Sequence, residues 1–195
     1  MSFSQTEIRD IAVSTIVLAM AFGYGLIQEL GPYAGLSIAF VVVGIGFLAH
    51  ELMHRAAAHR FGAVAEYRAY PFGLLLALVL SVASGGGFVF AAPGAVYISH
   101  HKTGRWHRSM DERISVEESG VISLAGPLTN IALAVAFLAL NALVPFSIFK
   151  IAAQVNAFLA LFNLLPFHPL DGGKIFLWDR KVWAFAFIAA AIGWL

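Results

Sequence analysis

The sequence predicts an all-α, polytopic membrane protein: a bundle of about four to six transmembrane helices with one re-entrant, partly extended membrane segment. Of the 195 residues, 60% are hydrophobic and only 12% are charged, and the mean hydropathy is +0.82, far from the composition of a soluble domain. Several apolar stretches also reach about 20 residues, the length of a helix that crosses about 30 Å of hydrocarbon. We therefore expect a multi-pass integral membrane protein of the cell membrane, in contact with the lipid bilayer.

Charge and cysteine content exclude several classes of protein. The net charge is only +1, without the clustered Lys and Arg that a nucleic-acid partner would require. There are no cysteines, which excludes disulfides, a cysteine-ligated zinc and thiol catalysis. Any metal ion must therefore be held by histidines and carboxylates.

Four long helices are predicted within a single domain over residues 1–195. They span residues 11–30, 34–58, 120–143 and 147–165. The first ends at Gly31-Pro32, and this short link makes the first two helices an antiparallel pair. Residues 182–195 are apolar but too short to cross, so we expect a truncated fifth helix there.

The positive charges constrain the segment over residues 71–99. If only the four long helices cross the membrane, every Lys and Arg except Lys150 lies on one side, which by the usual loop bias is the cytoplasmic side. Residues 71–99 must then enter and leave by the same face, either as a re-entrant segment or as a helix with an extended return. An extended return over residues 88–98 can exist at membrane depth only if protein covers its backbone or if it lines a water-filled cavity. A strand that lines a cleft is therefore expected.

A histidine, a glutamate and a second histidine interrupt the second apolar stretch, at His50, Glu51 and His54. On a helix, this spacing puts the two imidazoles on one face, one turn apart, where they can bind one zinc ion. Titratable groups within a span are costly and usually mark a functional interior. The alternative is that these residues have only a structural role, as side chains whose hydrogen bonds are made within the helix packing.

A catalytic zinc ion usually has three protein ligands and one open position. Asp171 and His168 are the candidates for the third ligand, because both lie in the proline- and glycine-rich segment after the fourth helix. The predicted topology places His54 and Asp171 at similar depth, near the cytoplasmic face. The Asp-Gly-Gly sequence taken alone is typical of a plain turn.

The chain resembles the site-2 protease family of intramembrane zinc metalloproteases. Three segments carry the resemblance: residues 50–54, 125–130 and 163–173. It implies that His50, His54 and Asp171 bind one zinc ion per chain and that His168 is not a ligand. It also implies that Glu51 is the catalytic base, and that a membrane-embedded hairpin, which fits residues 86–97, helps to present the substrate.

The predicted function is hydrolysis of a peptide bond within or near a transmembrane helix of a membrane-protein substrate. Zinc lowers the pKa of its bound water and polarises the carbonyl, while Glu51 takes the proton and delivers it to the leaving amine. Asn130 and Asn163 could orient the substrate or the ligands by hydrogen bonds, or could simply join helices. Gly126-Pro127 would let a neighbouring backbone approach.

The alternative is a non-proteolytic membrane metal-binding protein or transporter that uses His50, His54 and Asp171 for transient ion binding. If the protein were a transporter, Glu51 would have no special role and inverted repeats would be expected. The sequence does not show such repeats. The histidines at positions 100, 101 and 107 are interpreted as contacts with lipid headgroups, because they lie among basic and aromatic residues.

Overall fold

A computed structural model describes residues 3–100 and 114–194. The described elements, in chain order, are α1 (Gln5–Leu30), α2 (Pro32–Arg60), β1 (Ala63–Ala69), α3 (Pro71–Ala83), β2 (Gly94–His100), α4 (Val116–Leu143), α5 (Ser147–Asn163), α6 (Asp171–Trp178) and α7 (Arg180–Trp194). By length and composition, α1, α2 and α4 can cross a membrane. The prediction of a mostly helical membrane protein is confirmed. His101 and His107 lie outside the described residues.

α1 and α2 form an antiparallel hairpin. The chain reverses at Gly31, whose φ of 82° is open to glycine at little cost, and Pro32 starts α2 where its missing N–H costs nothing. The helices approach closely beyond the turn, because a Cβ on Gly35 would lie 2.6 Å from the backbone nitrogen of Ile27. α1 starts at Gln5, earlier than expected, with Ser4 as its N-cap.

The segment after α2 contains the only sheet of the described residues. β1 and β2 pair antiparallel, with Ala63 opposite His100 and Ala69 opposite Gly94. Between them, α3 has 13 residues, about 20 Å, which is too short to cross the hydrocarbon. Residues 71–99 therefore form a helix with an extended return. The strand begins at residue 94, where the sequence suggested 88, and its partner β1 was not predicted.

Two carboxylates of α1 hold the outer edge of β1. Glu7 accepts a hydrogen bond from the backbone N–H of Tyr67 at 3.3 Å, and Asp10 accepts one from Ala69 at 3.2 Å. Burial raises the pKa of the Tyr67 phenol, so it stays protonated and donates to Ser14 at 2.8 Å. These contacts place the sheet against α1 and α2.

The rest of the bundle packs around α4. α4 contacts α2, α5, α6 and α7, and its start is fixed by a reciprocal capping box between Ser115 and Glu118. α5 has 17 residues, about 26 Å in length. The proline- and glycine-rich segment predicted as a loop ends at Leu170, and the short helix α6 begins at Asp171.

Candidate metal centre

Three predicted ligands converge inside the bundle. The Nε2 atoms of His50 and His54 lie 2.9 Å apart, and the Oδ2 atom of Asp171 lies 3.2 Å from the first and 3.0 Å from the second. The three residues are only 5%, 1% and 9% exposed. One turn of α2 and the first residue of α6 therefore form one buried cluster that can hold a metal ion.

Asp171 reaches the histidines because the chain folds back tightly after α5. A Cβ on Gly172 would collide with the carbonyl oxygen of Leu164 and would lie 2.5 Å from that of Leu165. Glycine at this position therefore lets the start of α6 pack against the end of α5. The Asp-Gly-Gly sequence is consequently more than a plain turn, since it starts the helix that carries the carboxylate.

A backbone carbonyl fixes the tautomer of His54. Its Nδ1 atom lies 2.7 Å from the carbonyl oxygen of Ile122. A carbonyl can only accept a hydrogen bond, so Nδ1 carries the proton and donates it. In the neutral ring, the Nε2 atom then presents its lone pair to the cluster.

The side chain of Asn130 fixes His50 in the same way. Its Nδ2 group donates to the carbonyl of Gly46 and to Oδ1 of Asn156, both at 3.0 Å. The Oδ1 atom of Asn130 must therefore face Nδ1 of His50, which lies 2.6 Å away and donates. The Nε2 atom of His50 is thus also left with a lone pair.

When both rings are neutral, two nitrogen lone pairs and one carboxylate oxygen therefore face one another, with no donor between them among the described residues. Such an arrangement is repulsive unless a cation lies among the three atoms. Zinc bonds of about 2.0–2.1 Å in a tetrahedral site separate neighbouring ligand atoms by about 3.3 Å, close to the distances of 2.9, 3.0 and 3.2 Å in the cluster. Two histidines and one carboxylate, which leave a fourth position open, fit a catalytic zinc ion.

The backbone of α4 forms one wall of the cluster at Gly126. A Cβ at this position would lie 2.5 Å from Nε2 of His50 and would also collide with Nε2 of His54. The close approach predicted for Gly126-Pro127 is therefore made to the two imidazoles. Any side chain on Gly126 would occupy space beside the ligand atoms.

Glu51 lies next to the cluster in a small cavity. The cavity has a volume of about 20 Å³ and is lined by Glu51, the cluster, Asn163 and the start of β2, so it has room for about one water molecule. The Oε2 atom of Glu51 is buried and has no hydrogen-bond partner among the described residues. A carboxylate oxygen is thus available beside the ligand atoms.

The edge of β2 that faces away from β1 has no strand partner among the described residues and is called the free edge below; residues 93–96, at the start of this strand, line the cavity. The N–H groups of Tyr67 and Ala69 are bonded to α1, so these residues direct their backbone groups away from β2. In an antiparallel pair, the residues opposite them do likewise. The opposite residues are Val96 and Gly94, whose N–H and C=O groups therefore point to the unpaired edge of the strand.

The other predicted residues lie at different distances from the cluster. Asn163 lines the cavity, but its Nδ2 group donates to the carbonyl of Leu159 within its own helix. His168 is exposed and lines a neighbouring pocket with Lys174, away from the three ligand atoms. Sequence reasoning missed Asn156, whose signal in the sequence is only an amide within an apolar helix; in the structure this amide is fully buried and must be hydrogen-bonded.

Known proteins resemble this chain over most of its length. A protein of Methanocaldococcus jannaschii named as a zinc metalloprotease is 40% identical over 187 residues, which cover 93% of this chain and 89% of that protein. YwhC of Bacillus subtilis, also named as a zinc metalloprotease, is 32% identical over 170 residues, 74% of this chain and 69% of its own length. Rip3 of Mycobacterium tuberculosis, named likewise, is 29% identical over 188 residues, 86% of this chain and 40% of its own.

No solved structure matches the chain significantly. The sequence profile described as peptidase family M50 matches residues 141–180, a stretch that includes Asp171 and the turn leading to it. Together with the relative that shares 40% identity over nearly the whole chain, this match settles the classification. The chain belongs to peptidase family M50, the site-2 zinc metalloproteases.

Proposed function

We propose that this chain is an intramembrane zinc metalloendopeptidase, which hydrolyses a peptide bond within or near a transmembrane helix of a membrane-protein substrate. His50, His54 and Asp171 hold one zinc ion, and Glu51 is the general base. The observation that carries the proposal is the convergence of two imidazole nitrogens and one carboxylate oxygen at distances of 2.9–3.2 Å, beside a buried Glu51 oxygen that has no hydrogen-bond partner among the described residues.

The groups at the cluster have different roles in the proposed hydrolysis. A zinc ion held by these residues would supply Lewis acidity, which would polarise the scissile carbonyl and make a water molecule acidic enough to lose its proton at neutral pH. Glu51 takes the proton from the attacking water and then delivers it to the leaving amine. The cavity of about 20 Å³ beside Glu51 limits how many water molecules compete for this position.

The free edge of β2 holds the substrate. A transmembrane helix shields its own peptide bonds, so it must unwind locally before cleavage. An unwound segment can pair with the backbone groups of Gly94 and Val96, in the manner of strand addition to a sheet edge. Those groups lie at the wall of the same cavity, so the paired segment would run beside Glu51.

Two asparagines support these roles. Asn130 orients His50 through the hydrogen bond to Nδ1, as buried partners of metal-binding histidines do. Asn163 positions the substrate from the cavity wall, where its side chain lies without contact to the ligand atoms among the described residues.

Family membership and the three candidate spans imply a lipid bilayer environment. Within it, we place the whole chain as one multi-pass domain of the cell membrane, with the metal centre near the cytoplasmic face. The charge distribution supports this placement, because Lys150 alone would lie on the opposite side. Cleavage near that face would release a cytosolic fragment.

The deciding experiment compares purified, zinc-loaded wild type with Glu51→Gln and Asp171→Ala on a helical membrane substrate. Glu51→Gln should still bind one zinc ion per chain. Its cleavage rate should fall at least about 100-fold, because a general base typically contributes that much. Asp171→Ala should lose both zinc and cleavage. Unchanged cleavage by Glu51→Gln would refute the mechanism. Unchanged zinc content in Asp171→Ala would refute the ligand set.

A further inference from the structure

Asn156 of α5 lies behind the metal centre without touching it. The residue is fully buried, with 0% exposure. Its Nδ2 group donates a 2.8 Å hydrogen bond to the carbonyl of Ala152, one turn earlier in the same helix. This bond leaves the Oδ1 atom of Asn156 as the atom that faces the centre.

That oxygen belongs to a chain of hydrogen bonds that runs in one direction. His50 donates from Nδ1 to Asn130 at 2.6 Å, Asn130 donates from Nδ2 to Asn156 at 3.0 Å, and Asn156 donates to the carbonyl of Ala152. The last acceptor is a backbone carbonyl, which cannot donate. Each amide orientation is therefore determined by the acceptor that follows it.

Reversing one amide would break the chain. If Asn130 were flipped, its amide nitrogen would face Nδ1 of His50, and its oxygen would face two acceptors, Gly46 O and Asn156 Oδ1. The flipped amide would favour the His50 tautomer protonated at Nε2, in which the nitrogen that faces the cluster has no lone pair for a metal ion. Asn156 supplies one of the two contacts that oppose the flip.

α2 leaves room for this contact at Gly46. A Cβ on Gly46 would lie 2.7 Å from Oδ1 of Asn156, so any larger residue would displace the oxygen from Asn130. The contact between α2 and α5 therefore does more than pack the two helices together. It brings a buried amide within reach of the centre.

We infer that Asn156 is a positioning residue of the metal centre, which acts through Asn130 to keep the proton of His50 on Nδ1 and the lone pair of Nε2 directed at the metal. The inference rests on the proposed role of His50 as a ligand. It adds a residue that makes no contact with the ligand atoms.

The test uses Asn156→Leu, which is close to the natural side chain in shape but has no polar atom. Zinc affinity, measured by competition with a chelator, should fall about 10- to 100-fold, as for other partners of metal-binding histidines. In the metal-free variant, ¹⁵N NMR of the histidines should show the Nε2-protonated form of His50, whereas wild type should show the Nδ1-protonated form. Asn156→Asp, whose neutral carboxyl can both donate and accept, should restore most of the affinity.

Two controls separate this role from a general loss of packing. Ser81→Ala removes another fully buried hydrogen bond, from Ser81 to the carbonyl of Ala21, and should change stability without changing zinc affinity or the tautomer. Gly46→Ala should act like Asn156→Leu, whereas Gly44→Ala, whose Cβ meets only Thr15 at 3.8 Å, should act like wild type.

Wild-type zinc affinity together with the Nδ1-protonated tautomer in Asn156→Leu would overturn the inference. If that variant does not fold, the same result in Gly46→Ala overturns it. Failure of the proposed ligand set would give a different result. His50→Ala would then bind zinc as wild type does, whichever residue is at position 156.

Discussion

Glu7 of α1 and Arg55 of α2 form a buried ion pair, in which Nη1 of Arg55 lies 2.8 Å from both carboxylate oxygens of Glu7. Glu7 is only 4% exposed. The same carboxylate accepts the N–H of Tyr67. One side chain therefore joins the first two helices to the sheet whose other strand lines the cavity.

Glu7→Ala should destabilise the protein by about 3 kcal/mol or more, because it leaves a largely buried guanidinium without this partner. It should also loosen β1, so cleavage should fall further than the loss of folded protein explains. Thermal unfolding and specific activity measure the two effects.

Glu29→Gln is the matched control, because Glu29 lies on the same helix but is exposed. It should change neither quantity appreciably. Equal unfolding midpoints for Glu7→Ala and wild type would contradict the structural role given to this pair.

Gly126→Ala should weaken zinc binding about 100-fold while the protein still folds. The added methyl group would lie 2.5 Å from Nε2 of His50, so the imidazoles or α4 must shift from the arrangement that binds metal. Metal titration of the purified variant measures the effect. Gly193→Ala, whose Cβ would meet its nearest neighbour at 3.8 Å, should bind zinc like wild type, and equal affinities for the two variants would argue against the close approach.

Asp171→Asn should abolish the stabilisation of the protein by metal. The three acceptor atoms repel one another in the metal-free wild type, whereas an asparagine amide can donate to one of the imidazoles. Metal-free Asp171→Asn should therefore unfold at a temperature as high as or higher than metal-free wild type. Zinc at 100 times its Kd should stabilise wild type by about 2.7 kcal/mol and leave the variant unchanged. Equal stabilisation by zinc would exclude Asp171 from the ligand set.

Val96→Pro should impair cleavage without affecting zinc. Proline removes the N–H group that Val96 presents at the free edge of β2, and an edge strand tolerates this change. Losing one main-chain hydrogen bond to the substrate, worth about 1 kcal/mol, should lower kcat/KM about fivefold, mainly through KM. Val96→Ala keeps the N–H group and should retain activity. A Val96→Pro enzyme with wild-type kcat/KM would mean that the substrate does not pair with this edge.

The proposed orientation can be tested in intact cells because the natural chain has no cysteine. Lys150 and Lys181 are both exposed, and the charge distribution places them on opposite sides of the membrane. A membrane-impermeant thiol reagent added outside should label Lys150→Cys and should label Lys181→Cys only after the cells are opened. Labelling of both from the outside would contradict the placement of the metal centre near the cytoplasm.

The features that the sequence predicted are those with a local pattern. His50 and His54 are one turn apart on any helix, so their shared face follows from spacing alone. Spacing could not choose between Asp171 and His168, because the outcome depends on how the chain folds back at Gly172. Only the resemblance to the family separated them.

β1 was missed for a different reason. Its sequence contains Glu66 and Arg68, which are typical of a segment in water, but its alternate residues Ala65 and Tyr67 are buried. The strand is stabilised by β2 and by the carboxylates of α1, and these partners are distant in sequence. Asn156 was also missed, because its hydrogen bond with Asn130 becomes visible only when the two helices are packed together.

The proposed ligands are also far apart along the chain, which determines when the metal centre can form. His54 and Asp171 are separated by 117 positions, so at about 5–20 residues per second the ribosome makes the carboxylate about 6–23 s after the second histidine. During that interval the growing chain contains only two of the three proposed ligands. The proposed three-ligand centre therefore cannot be complete until α6 has been made.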